Sequence, residues 1–356
     1  MTPSIEVYEN LPAMPDSGLE LFRSEEQASF DLGAAWFDLL SGHALAADSA
    51  ARYYALLDDN GVSCVLPLRI GDRHQVSGLT TFYSTLFRPL LVPELGPDAF
   101  ALLIRRALDD AGAGSIRLDA MDPQHTSFAV TLAAMQRAGL SAYRYFSHGN
   151  WYLPTNGLSF DAYFASLSSR IRNTVRRGEK RLLSDGRGRV EIIMGDPTDL
   201  DRAVDTWDRI YAASWKRPEP FPTFMPGLIR LCAARGWLRM GVAYYDGVPL
   251  AAQIWIVNSG RAAIYKLAYD QAYARFSAGT LLTARLMRQA LDEDRVEEVD
   301  YLVGDDGYKK DWMSSRRERQ GIVAYDWRRW QGLRGMLVQE LGQAWRRFRK
   351  IRGAGP

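Results

Sequence analysis

The chain has 356 residues, 47% of them hydrophobic and 24% charged, with a formal net charge of +2. That length exceeds what one core usually fills and points to two domains. The composition excludes a disordered chain, and so small a net charge does not by itself imply a nucleic-acid partner.

In chain order, residues 1–28 are Pro-rich and polar and read as a loose lead-in. Ser29 to Leu45 suits a short amphipathic helix starting at Ser29 or Asp31. ARYYALLDD, Asn60-Gly61 and VSCVLPLRI form a hairpin pattern, with VSGLTTFYSTL as its third strand. A helix from Pro97-Asp98 to Gly112, a strand SIRLDAM, a helix HTSFAVTLAAMQRAG and an extended AYRYFSHGNWYLP complete the first half. Ser168-Ser169 then cap RIRNTVRRGEKRLLSDG, in which Ile171, Val175 and Leu182 keep an apolar stripe. Residues 170–189 carry eight basic side chains against Glu179 and Asp185. Helices around Leu200–Trp215 and Phe224–Arg235 precede a meander: WLRMGVAYY, Asp246-Gly247, VPLAAQIWIV, Asn258-Ser259-Gly260, RAAIYKLAYD. Next come Arg275-Phe276-Ser277-Ala278-Gly279-Thr280, a helix LLTARLMRQALDEDR, a strand EEVDYLVG, a short helix in DDGYKKDW and a last strand RQGIVAYDW. The closing run WRRWQGLRGMLVQELGQAWRRFRKIRG is a second basic amphipathic helix, expected to pack through Leu333, Leu337 and Leu341.

Both halves thus read helix, meander, helix, strand, helix, strand. The expected fold is α+β (mixed α/β), with two units that each carry a mostly antiparallel sheet flanked by helices. The expected boundaries are 1–155, a basic connector 156–190, a second half 191–330 and a C-terminal helix 331–356.

Familiar motifs are few. Gly112-Ala113-Gly114 ends a helix, so it is a helix stop and not a dinucleotide fingerprint. There is no GxSxG elbow and no GxxxxGK[ST] loop. His43, His74, His125 and His148 lack metal-ligand spacing, so no metal is expected; His148, near the junction of the halves, is either a packing residue or part of a cleft. Cys64 and Cys232 lie far apart in apolar segments, which fits buried free thiols in a reducing compartment. The N-terminus lacks the pattern of a signal peptide, and no uncharged apolar run approaches a membrane span, so the cytoplasm is the expected location.

Chemistry concentrates after the meander. Ser277–Thr280 is either a helix cap with a permissive Gly or an anion site, where free N–H groups, the helix dipole and Arg275 meet a diphosphate. Lys266 and Asp300 interrupt apolar strands; either they pair across adjacent strands or they face a substrate groove. Asp270 and Tyr308-Lys309 fall near the same sheet end. A Tyr there could protonate a departing thiolate, and an Asp could orient or deprotonate an amine. The basic connector is either a solvated helix face or a surface for phosphates of tRNA or lipid headgroups, the latter implying a location peripheral to the inner membrane.

Over roughly Ser159 to Trp327, the basic helix RIRNTVRRGEKRLLSDG and above all YKLAYDQAYARFSAGTLLTARLMRQAL and VDYLVGDDGYKKDW resemble the GNAT-superfamily acyltransferases called BioF2-like or CelD-like, which are related in fold to the FemAB peptidyltransferases. The resemblance rests on Lys266, Asp270, Ser277, Gly279, Leu281, Leu282, Asp300, Gly304, Tyr308 and Lys309. The chain departs with Ala278 for Pro and Tyr301 for Phe, and Ala278 and Thr280 stand where the usual GNAT loop has glycines.

The resemblance implies tandem GNAT-like units and an N-acyltransferase. Acyl-CoA or acetyl-CoA would be held at Arg275, Ser277, Ala278, Gly279, Thr280 and Leu281. Asp270, Asp300, Tyr308 and Lys266 would be the catalytic groups. Tyr269, Lys309, Trp312, Arg172 and Arg176 would contact substrate, a small-molecule, peptide or glycan amine in a cleft between the halves. The FemAB kinship implies an alternative, aminoacyl transfer from a charged tRNA to a cell-envelope or peptide substrate. A third reading is a non-catalytic module of polysaccharide assembly.

Overall fold

The computed structural model describes residues 3–72 and 75–352; His74 and residues 353–356 of the C-terminal run lie outside the described residues. The chain forms two compact units, Met1–Ser147 with Glu318–Pro356, and His148–Arg317.

In the first unit β1 (Ser4–Tyr8), α1 (Asp16–Glu26), α2 (Ala34–His43), β2 (Ala50–Asp58), β3 (Gly61–Gly71), β4 (Gln75–Gly78), β5 (Leu90–Leu91), α3 (Pro97–Asp110), β6 (Ser115–Met121), α4 (Thr126–Arg137) and most of β7 (Ser141–Pro154) follow one another. The unit also takes in most of β13 (Ser315–Tyr325) and α10 (Trp330–Arg352). In the second unit the elements are α5 (Phe160–Ser166), α6 (Ser169–Leu183), β8 (Gly188–Ile193), α7 (Leu200–Ala212), α8 (Phe224–Ala234), β9 (Leu238–Tyr245), β10 (Val248–Asn258), β11 (Arg261–Tyr269), α9 (Ala278–Arg288) and β12 (Glu298–Asp300).

The two sheets share one plan. The first runs β1-β2-β3-β4-β6-β13 and the second β8-β9-β10-β11-β12-β7. In each, the third meander strand lies parallel to the strand after the helix, β4 to β6 and β11 to β12. Every other neighbouring pair along these two runs is antiparallel. The last strand is exchanged: β13, late in the chain, pairs with β6, whereas the end of β7 pairs with β12. Residues 169–183 form a helix inside the second unit, where Ile171, Val175 and Leu182 pack into its core. Ser168 caps that helix by accepting from the Ile171 N–H at 3.3 Å.

Three expectations are corrected. The lead-in is ordered: β1 pairs with β2, and α1 starts after Pro15 and buries Phe22 completely. The next helix begins at Ala34, because Asp31 is buried and instead receives the Ser29 and Thr85 hydroxyls and the Leu86 N–H. In α10, Leu337 and Leu341 are 51% and 70% exposed, so the helix does not pack through them. It packs tightly at Gly332, where a Cβ would run into the carbonyl oxygens of Asp326 and Gly114.

Candidate active site

The site lies in the second unit, where β11 and β12 part. They pair only over Arg261–Ala263 and Glu298–Asp300. Beyond Asp300 the backbone turns toward β7, with the Tyr301 N–H donating to Trp151 O at 2.9 Å and the Gly304 N–H to Gly149 O at 3.1 Å. Leu302 and Gly304 take positive φ to make that departure. The remainder of β11, Ile264–Tyr269, is left without a parallel neighbour over a wedge. A bulge inserts Tyr265 opposite Ile254/Trp255 and re-aims the strand at Lys266.

At the mouth of the wedge α9 begins. Ser277, in the left-handed region at φ 53°, turns the chain so that Ala278 opens the helix. The first-turn N–H groups of Ala278, Gly279 and Thr280 have no intrahelical acceptor, as at any helix start, and the dipole is positive there. Gly279 has room above it: a Cβ would meet only Tyr269, at 3.8 Å. Its carbonyl is fixed from below by Gln253 Nε2 at 2.7 Å and Thr283 Oγ1 at 3.1 Å. Leu281 is buried beneath the turn. The basic α6 crosses at Gly178, where a Cβ would stand 3.0 Å from Phe276 O, and Arg181 donates to Arg275 O at 2.8 Å. Arg275 itself is exposed.

The wall of the wedge comes from the loop after α7, which no sequence motif singles out. Trp215 lies on Tyr269 with ring centroids 4.5 Å apart. Lys266 pairs with Glu219, both mostly buried. Lys216 and Lys266 stand over the same Tyr211 ring, at 5.9 and 5.6 Å. Burial lowers the pKa of Lys216 to about 8, helped by the charges of Lys266 and Lys309 and opposed by Glu219. Burial also lowers Lys266, against its hydrogen bond to Glu219.

Lys309 is buried, and its ammonium donates to Tyr301 O at 3.2 Å and to Val303 O, bracing the departing loop. Its pKa falls through burial, offset by Asp306 and Asp300. Tyr308 is half exposed, edge-on to buried Tyr301 at 5.8 Å, and burial with the Asp306 charge raises it to about 12.

The wedge and the turn therefore bring together Lys266, Tyr269, Tyr308, Lys309 and residues 275–281. Other expected residues sit elsewhere. Of the two readings open for Lys266 and Asp300, the cross-strand pair is not the one found: Lys266 pairs with Glu219 and Asp300 with Arg317. Asp300 is buried and takes Asn150 Nδ2 at 2.5 Å and the Leu302 N–H at 2.6 Å on one oxygen, and Arg317 on the other. Asp270 caps the following turn, accepting from Ala272 N–H at 2.9 Å. Trp312 is buried in the core and its carbonyl accepts the Tyr163 hydroxyl. Arg172 donates to Ala165 O, and Arg176 is exposed on α6 beside Glu179, Arg285 and Arg288. His148 is half-buried on β7. Among the described residues no cluster of metal-ligating side chains is present, and no helix is long and apolar enough to cross a membrane.

The equivalent place in the first unit is filled. Phe87, fully buried, lies 2.9 Å from where a Gly78 Cβ would be, and its N–H donates to Ala120 O at 3.0 Å. The helix there opens with Pro97, which has no N–H, and Asp98, whose charge repels an anion.

Comparison with known proteins bears on the fold. No curated protein matches the chain in sequence. Residues 169–310 match the family model described as an acetyltransferase (GNAT) domain. Among solved structures, FemX is 13% identical with a TM-score of 0.56, covering 82% of this chain and 91% of that one. The C-terminal domain (DUF2156) of a putative lysylphosphatidylglycerol synthetase from Agrobacterium fabrum is 14% identical with a TM-score of 0.55, covering 87% and 92%. A tandem GNAT protein from the clavulanic acid biosynthesis pathway is 13% identical with a TM-score of 0.52, covering 90% and 98%. The chain has the mixed α/β fold of these proteins, two GNAT-like units in tandem, and its second unit carries the match to the GNAT acetyltransferase domain.

Proposed function

We propose that the second unit is an N-acyltransferase that takes its acyl group from acyl-CoA. The observation that carries this reading is the parting of β11 from β12 above the open turn at Gly279. A diphosphate binds the N–H groups of Ala278–Thr280, with Arg275 and Arg181 beside it. The pantetheine arm lies along the free edge of β11 and places the thioester in the wedge.

An acceptor amine attacks the thioester carbonyl; the C–N bond forms, the C–S bond breaks and the sulfur leaves. Tyr308, held protonated by its raised pKa, gives its proton to the sulfur and recovers the one shed by the amine nitrogen, so the products are amide and free thiol. Lys266, held by Glu219, fixes the wall of the wedge. Asp270 and Asp300 act through the backbone they hold. Tyr269 and Trp215 flank the arm.

Tyr308→Phe then lowers kcat about a hundredfold and leaves acyl-CoA affinity unchanged. Equal loss of affinity and turnover would assign Tyr308 to binding instead.

A second reading has its own support: Arg176, Arg177, Lys180 and Arg181 on α6 form no ion pair among the described residues. These charges fit an aminoacyl-tRNA donor or an anionic headgroup. That reading predicts binding of charged tRNA that falls steeply with salt and with Arg172→Glu/Arg176→Glu; a flat salt response removes it. The site itself is compatible with small-molecule, peptide or glycan amines, and the BioF2-like or CelD-like subfamily remains part of the proposal.

A further inference from the structure

Lys216 is the group in the wedge that the reaction leaves unused. Its neighbours are all engaged. Glu219 is taken by Lys266 and by the Tyr211 hydroxyl. Lys309 is held by two carbonyls, with Asp306 at 3.8 Å. Lys216 forms no ion pair among the described residues; only the rings of Trp215, at 5.7 Å, and Tyr211 lie against its ammonium. Glu219 and Asp306 act on Lys216 through space but neither pairs with it, so its ammonium sits half-buried without a direct counter-ion. Cation–π contact offsets only part of the cost of desolvating an ammonium. The depressed Lys216 pKa is the mark of that unrelieved cost.

We propose that Lys216, flanked by Lys266 and Lys309, receives an oxyanion, a carboxylate or phosphate carried by the acceptor amine. This specificity rests on the acyltransferase reading, because it places the anion beside the thioester. An anionic substituent would supply the missing counter-charge and set its amine at a fixed distance from the reacting carbonyl. The acceptors are then amino acids, amino-sugar phosphates or peptides with a nearby acidic group, and neutral amines are poor substrates.

The test is isothermal titration of the whole chain at low ionic strength with inorganic phosphate, and separately with acetate. Lys216→Gln, Glu219→Gln and Gly279→Trp are compared with the unaltered protein, and near-UV circular dichroism checks their folds. Beside the anion site that the α9 turn offers, one saturable site that depends on Lys216 is expected. Lys216→Gln weakens it by about tenfold or more, since a charge-assisted contact is lost. Glu219→Gln, which frees a second charge, tightens it, and Gly279→Trp leaves it alone. Whether phosphate or acetate binds identifies the oxyanion. Absence of a saturable site, or binding indifferent to Lys216→Gln, overturns the proposal. So does binding lost only in Gly279→Trp, because the anion would then sit in the α9 turn. Acetyl-CoA titrated in parallel separates the two claims: anion binding through Lys216 without acetyl-CoA binding leaves this site standing and removes the donor reading.

Discussion

At the scale of single residues, the wedge is maintained by charges that are individually unfavourable. Lys216 is less readily protonated in the folded chain than in the unfolded one, its pKa falling from 10.5 to about 8. Between those values the unfolded state binds more protons, so stability rises with pH across that window and the penalty is fully present below about pH 8. Lys216→Met should therefore raise the Tm at pH 7, with the gain shrinking as pH climbs toward 10.5. A gain that does not vary with pH would show that the variant acts through packing alone. Lys266→Met should behave in the opposite sense, because it leaves the Glu219 carboxylate mostly buried without its cation. A loss of about 3 kcal/mol is expected in denaturant titration. Adding Glu219→Gln should restore most of it, and failure to recover would locate the loss in packing. Asp300 shows why residue type alone misleads. A lone acid in an apolar strand resembles a catalytic group, yet its partner Arg317 lies beyond the sequence window that made it conspicuous.

The meander β9–β10–β11, α3, α4, β6 and α6 were legible because Asp-Gly and Asn-Gly turns, glycine stops and a capping serine act through neighbours in sequence. The turn at 277–280 was legible for the same reason. The loop carrying Trp215, Lys216 and Glu219 was not: it has no periodicity, and its roles come from contacts with β11 some fifty residues later. Nor could sequence order show that β7 and β13 exchange places, because pairing between distant strands leaves no local mark. Gly178 is a similar case, an ordinary helix glycine until the Phe276 carbonyl is found 3.0 Å from its missing Cβ. Gly178→Leu should push α6 off the turn, lowering Tm and weakening acyl-CoA binding by about tenfold or more, given a core overpacking cost of about 1–3 kcal/mol. Unchanged affinity would mean that the turn holds its shape without α6.

For the whole molecule, the two units share one plan but only the second keeps an open turn at the start of its helix. Both units keep the same order of strands, but in the first the wedge is closed by Phe87 and its helix opens with Pro97-Asp98. The acyltransferase reading then predicts one donor site per chain. The proposed donor site is the turn at Ala278–Thr280, and Gly279→Trp tests it, because a Cβ there has only Tyr269 within 4 Å. Titration of acetyl-CoA into the unaltered chain and into Gly279→Trp, both shown to be folded, is the most direct measurement. One molecule bound per chain and none to the variant is expected; no binding to the unaltered chain, or binding that survives the tryptophan, would rule out the turn as the donor site.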